Sequence, residues 1–201
     1  DLLESRGLGD VYKRQKIDRP SNFDKITNEK ANELINKIIS VGDNSALNYI
    51  QDFFNKNGFE ILPINSILKD CFMPKGFYQE KLFSQNLKDF VYKSSQFGVD
   101  LLNTISKFDV GQSVVVNNKL VYAIEGLEGT NSMIDRVGIL YNHNKNRYDF
   151  GPVLIKIPKI GQNTSLDLPV IGLETVEKCK KLRFSSIAVS YTHLTLPTIN
   201  W

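Results

Sequence analysis

Histidine is close to absent from this chain. Two occur among 201 residues, His143 and His193, and only His143 remains once the C-terminal tail is set aside, too few for a histidine-rich metal centre or a histidine-based triad. Cysteine is as scarce. Cys71 and Cys179 stand far apart without CxxC spacing, in a chain with no recognisable signal peptide, so they read as buried thiols of a cytosolic protein and not as a disulfide framework. No apolar run approaches the roughly 20 residues that cross a bilayer, and any meeting with a membrane is expected at its surface. An excess of one charge is lacking too. Lys+Arg 25 against Asp+Glu 22 leaves a net +3, without the clustered basic, aromatic-rich face of a nucleic-acid module.

The two ends stand apart from the rest. Residues 1–15 and 190–201 resemble translated sequencing-adapter read-through and are excluded from fold reasoning as an expression scar would be; the alternative is that they are genuine termini. Excluding them leaves 16–189 as the natural segment, a fragment open at both ends and long enough for one large or two small domains. The charge balance is unaffected, because Asp1, Glu4 and Asp10 in the first stretch offset Arg6, Lys13 and Arg14.

Periodicity then organises the chain. Ala31, Leu34, Ile35, Ile38 and Ile39 recur at the spacing of an amphipathic helix over 28–40. Gly42-Asp43 ends it and starts a second helix, which buries Leu47, Ile50, Phe53 and Phe54 and stops at Gly58. Residues 59–62 read as a short strand ended by Pro63, so 16–72 is expected to be part of a layered α/β domain. The pattern lapses over 73–84, the candidate linker. Beyond it, 85–189 reads as a mixed α/β domain. Ser84 caps a long helix with a buried line Leu87, Phe90, Val91, Ser94, Gly98, Leu101, Leu102 and Ile105. Its small residues permit close approach, although Gly98 costs about 1 kcal/mol of helix stability. A hairpin turns at Asn117-Asn118, since asparagine tolerates positive φ. Thr130 is expected to cap a short helix through Ile134 and Arg136, and 138–149 to be a polar excursion holding a surface His143. A strand at 153–156, a helix at 174–182 and a buried strand at 184–189 complete the reading.

Two phrases carry chemistry. In Glu125-Gly-Leu-Glu-Gly-Thr-Asn131 a glycine turn feeds a helix N-terminus, whose exposed N–H groups and dipole suit phosphate. The paired carboxylates Glu125 and Glu128 could hold magnesium. The plainer reading is a capped helix with two solvated glutamates. In the second phrase Lys156 and Lys159 follow an apolar strand, and Asp167 sits between two leucines, where a carboxylate is costly unless paired or metal-bound. Lysines there can neutralise developing phosphate charge; the plainer reading is a structural Lys156–Asp167 pair. Arg136 is either a phosphate clamp or a surface charge.

Taken in order, Asp109-Val-Gly-Gln112, the valine-rich strand, Glu125 to Thr130, Arg136, Lys156 to Lys159, Gln162, Asp167-Leu-Pro169 and Gly172 with Thr175 resemble the C-terminal domain of the I-type UDP-2,3-diacylglucosamine diphosphatases. Upstream, Asp18-Arg-Pro20 and Gly42-Asp-Asn44 resemble the second half of that family's N-terminal domain. The resemblance implies two α/β domains with the substrate between them, and hydrolysis of UDP-2,3-diacylglucosamine to UMP and 2,3-diacylglucosamine 1-phosphate in lipid A synthesis. It also implies a divalent cation, normally magnesium, and a cytosolic protein that touches the inner-membrane surface. Carried onto this sequence, the implied catalytic positions are Asp167, Asn163, Lys156 and Lys159. The implied substrate contacts are Gln112, Gly129, Thr130, Asn131, Arg136 and Gln162, and the implied metal ligands Glu125, Glu128 and Asp167.

Two positions depart from the family's pattern. Asn131 stands where the family continues Glu-Gly-Thr with aspartate, and Gln162-Asn163-Thr164-Ser165 stands for Gln-Asp-x-Arg. An amide ligates magnesium poorly and cannot serve as a general base. Either Glu125, Glu128 and Asp167 take over those roles, or the protein binds the lipid-linked sugar nucleotide without efficient turnover.

Overall fold

Val114, Val115 and Val116 are all completely buried, which consecutive strand residues achieve only when both sheet faces are covered, because their side chains point to opposite sides. In the computed structural model the described residues are 29–39, 43–63, 66, 76–77, 83–142, 149–162, 168–190 and 198–199. They form α1 (Glu29–Ile39), α2 (Asp43–Lys56), α3 (Gln85–Ile105), β1 (Ser113–Asn117), β2 (Leu120–Ile124), α4 (Gly129–Asn142), β3 (Val153–Lys156), α5 (Leu173–Lys181), β4 (Ser186–Val189) and the two-residue β5 (Thr198–Ile199). The chain divides into the units Asp1–Asn36 and Lys37–Trp201. Of the first, only part of α1 is described.

The strand order in the second unit is β2-β1-β3-β4-β5. β1 runs antiparallel to β2 and β3, β3 and β4 are parallel, and β5 is antiparallel to β4. β5 falls within the stretch set aside as adapter-like. The period of two along each strand sorts the core into two layers. Val114, Val116, Val153, Ile155 and Ala188 pack with Val91, Val99 and Leu102 of α3. Val115, Ala123, Leu154 and Ile187 pack with Met133, Ile134 and Val137 of α4 and Cys179 of α5. The class is the mixed α/β expected from the sequence. Each fully buried valine or isoleucine contributes roughly 1.5–3 kcal/mol relative to exposure, so these central strands dominate the unit's stability.

α3 begins as its sequence dictates, with the Ser84 hydroxyl accepting from the Leu87 N–H at 3.3 Å. Its small residues serve the sheet. A Cβ on Gly98 would lie 2.8 Å from Ile155 Cδ1 and 3.2 Å from Val114 Cγ1, so the close approach offsets the helix propensity lost there. The Ser94 hydroxyl accepts from the Asn118 N–H at 2.9 Å, and Asn118 holds the positive φ, 55°, that the hairpin turn needs.

Four expectations are corrected. Residues 59–62 form no strand: no neighbouring strand pairs with them among the described residues, and the Phe59 N–H donates to the Phe54 carbonyl instead. Phe54 is not buried; it is 41% exposed and meets the Phe53 and Phe59 rings edge-on. α4 continues through Asn142, so 138–142 is helix and not a solvated excursion, because Ile134, Val137 and Tyr141 bury one stripe beside Gly138. Thr130 is the second residue of α4 and not its cap. Cys71, His143, Asp18-Arg-Pro20, Asn163 and Asp167, with other positions discussed above, lie outside the described residues.

Candidate active site

Strand register gathers the two phrases at one edge of the sheet. The Glu125 N–H, just past β2, donates to the Ser113 carbonyl at 2.9 Å, Ser113 is paired with Lys156, and Lys156 with Val189. Glu125, Ser113 and Lys156 therefore form one row across three strands. They alternate with Ile124, Val114 and Ile155, and so face the layer of α4 and α5, directly at the first turn of α4.

At that turn the Thr130 hydroxyl joins the row. It donates to Glu125 Oε1 at 2.6 Å and accepts from Lys156 Nζ at 3.0 Å, with Ser113 Oγ 3.4 Å away. The second carboxylate oxygen, Oε2, accepts from the Gln112 N–H at 3.1 Å. Glu125 and Lys156 are 7% and 9% exposed, so this is a buried anion and a buried cation joined through a hydroxyl, where unpaired charge would be costly. The Glu125 carbonyl accepts from the Gly111 N–H at 3.0 Å.

The other predicted positions surround this cluster with partners of their own. Glu128 accepts from the Gly126 N–H at 3.1 Å and from Arg136 at 2.5 Å, and Arg136 also donates to the Ile124 carbonyl at 3.1 Å. The backbone N–H of Glu128 and then the Arg136 guanidinium hold this carboxyl below the usual carboxylate range. Lys159 pairs with Asp109 at 2.5 Å, and its backbone N–H donates to Gln162 Oε1 at 2.7 Å, closing a turn around left-handed Gly161. Asn131 accepts from the Thr175 hydroxyl at 2.6 Å, tying α4 to α5. Gly129 adopts a φ of 78° at the head of α4. Ser113 joins the cluster without being among the residues expected there; its one local signal is a lone serine heading a valine run.

The carboxylates can be tested against a cation. The Glu125 carboxylate is joined through Thr130 to the Lys156 ammonium, and Glu128 carries the Arg136 guanidinium; each of these charges would repel a second cation. Among the described residues no three His, Cys, Asp or Glu side chains group as a metal site. Glu125 and Glu128 as placed do not fit a divalent ion.

Comparison with known proteins settles the kinship. Residues 78–197 match the family described as the LpxI C-terminal domain. The chain belongs to the LpxI family. It is similar to the UDP-2,3-diacylglucosamine pyrophosphatase LpxI of Caulobacter vibrioides, at 32% identity over 148 residues covering 73% of this chain and 51% of the relative. The chain thus spans about half the length of that curated LpxI. Every site residue described above from Asp109 to Thr175 lies inside the LpxI C-terminal match.

Proposed function

We propose that this chain acts in hydrolysing the pyrophosphate bond of UDP-2,3-diacylglucosamine, giving UMP and 2,3-diacylglucosamine 1-phosphate for lipid A synthesis. The observation that carries the reading is the Lys156 ammonium, buried beside the N-terminus of α4 and bonded to Thr130, in a chain of the LpxI family. A lysine and a helix N-terminus together attract a diphosphate. In the proposed reaction a water oxygen forms a bond to one phosphorus, the bridging P–O bond breaks, and the departing oxygen leaves on the other phosphate. Asp167 is the proposed acceptor of the water's proton, and Lys156 offsets charge growing on the phosphoryl oxygens.

Asp167 is proposed to hold a divalent cation, normally magnesium, which when bound would supply charge neutralisation to the diphosphate. A diacylated substrate also implies an encounter with the cytoplasmic surface of the inner membrane. Exposed Leu127 and Ile160, on the segments that follow β2 and β3, and exposed Leu173, which opens α5, support that reading. No helix among the described residues is long and apolar enough to cross a membrane.

The test is UMP release from UDP-2,3-diacylglucosamine, with magnesium and with EDTA, by the protein at the full length of its relatives. Lys156→Ala is expected to lower kcat/KM about ten- to a hundredfold, the effect of removing a charge-assisted contact worth roughly 1.5–3 kcal/mol. No UMP from the unmodified protein would sink the proposal.

A further inference from the structure

We infer that Glu125 is a positioning residue, acting through Thr130 to aim the Lys156 ammonium at the diphosphate, and that it is not a metal ligand. The inference rests on the diphosphate reading of the site. A threonine hydroxyl has one hydrogen to give, and a carboxylate oxygen only accepts. The 2.6 Å contact with Glu125 Oε1 therefore commits the Thr130 hydrogen and turns the hydroxyl's lone pairs toward Lys156 Nζ, 3.0 Å away. The carboxylate thereby bears on the direction of the ammonium from two hydrogen bonds away.

Glu125 is itself held at four points, which suits a residue that orients another. Its N–H donates to Ser113, its carbonyl accepts from Gly111, and its two side-chain oxygens accept from Thr130 and Gln112. Each oxygen keeps a second lone pair, but a cation bound there would lie beside the Lys156 ammonium that shares the Thr130 hydroxyl, a like charge that opposes it. Glutamine in its place would keep the shape and lose the pattern. Whichever way the amide is turned, an NH2 group faces either the Thr130 hydroxyl or the Gln112 N–H.

Two measurements decide it. Calorimetric titration of UDP is run in EDTA and again in magnesium, on the wild type and on Glu125→Gln, Thr130→Val, the double variant and Thr130→Ser. Glu125→Gln and Thr130→Val are each expected to weaken binding about five- to twentyfold by the same factor in both buffers, less than the loss of the ammonium itself because the charge stays and only its aim is lost. The double variant should be no weaker than the worse single one, since both cut one chain, and Thr130→Ser should bind as wild type. A loss in Glu125→Gln confined to magnesium, or losses that multiply in the double variant, would overturn the inference. The second measurement needs no ligand: the rate at which acetic anhydride modifies Lys156, read by mass spectrometry. Glu125→Gln and Thr130→Val should raise it at least threefold and Thr130→Ser should leave it unchanged; an unaltered rate in Glu125→Gln also overturns the inference. If UDP fails to bind even the wild type, the diphosphate reading has failed, and the acetylation rates still decide whether Glu125 positions Lys156.

Discussion

Gly111 lies against Glu125 so closely that a Cβ on Gly111 would stand 2.5 Å from both the Glu125 Cγ and the Glu125 carbonyl oxygen. The carbonyl is also the acceptor for the Gly111 N–H, so neither partner can retreat without breaking a bond. Gly111→Ala is therefore expected to destabilise the protein by about 1–3 kcal/mol, the usual cost of overpacking, seen as a lower urea midpoint at unchanged m-value. A midpoint equal to wild type would mean that the two residues are not in this contact.

Asn131 supplies a second test, because its role in the structure is to accept from the Thr175 hydroxyl at 2.6 Å. Aspartate offers the same oxygen and adds a negative charge in the first turn of α4, where the helix dipole favours it. Asn131→Asp is expected to raise stability by roughly 0.3–1 kcal/mol. Thr175→Val, which leaves the Asn131 oxygen without this donor, should lower it by about 1–3 kcal/mol. Paired urea titrations measure both, and a destabilised Asn131→Asp would contradict this account of the contact.

Cys179 is fully buried, and that burial pushes its thiol up to about 12 from an ordinary value of 9.0. Between those values the folded chain keeps a proton that the unfolded chain has shed. The thiol's contribution is fully present below about 9 and is lost as pH rises toward 12. In a Cys71→Ser background, the stability advantage of Cys179 over Cys179→Ala should shrink between pH 8 and pH 10.5. At pH 8 a thiol reagent such as Ellman's should label the urea-unfolded chain within minutes and the folded chain far more slowly. Equal labelling rates would place Cys179 at the surface.

Local pattern was enough where an element depends mainly on its own residues. The Ser84 cap and the apolar stripe behind it specify α3, the Asn117-Asn118 turn specifies the β1–β2 hairpin, and apolar runs mark β3 and β4. The full length of α4 is legible too, since Ile134, Val137, Gly138 and Tyr141 keep helical spacing, although the polar residues around Asn142 carry the signature of a loop. The strand expected at 59–62 failed for a different reason. A strand is completed by its neighbour, and a short apolar run says nothing about whether one will be present.

The same division holds at the site. Residue chemistry alone singled out Glu125 and Lys156, because a glycine turn before a helix and a lysine closing an apolar strand are local facts, while Thr130 came to the site through the family resemblance. Their partners were a tertiary matter. Antiparallel register sets Ser113 opposite Lys156, and only that pairing brings Lys156 to the Thr130 hydroxyl and leaves Lys159 to Asp109, fifty positions away in sequence. The sequence by itself determined the layered α/β class and which side chains could carry charge to a phosphate. Which charges meet, and through which hydroxyl, was decided by strand pairing, since a hydrogen bond is fixed by distances of a few tenths of an ångström that no local spacing encodes.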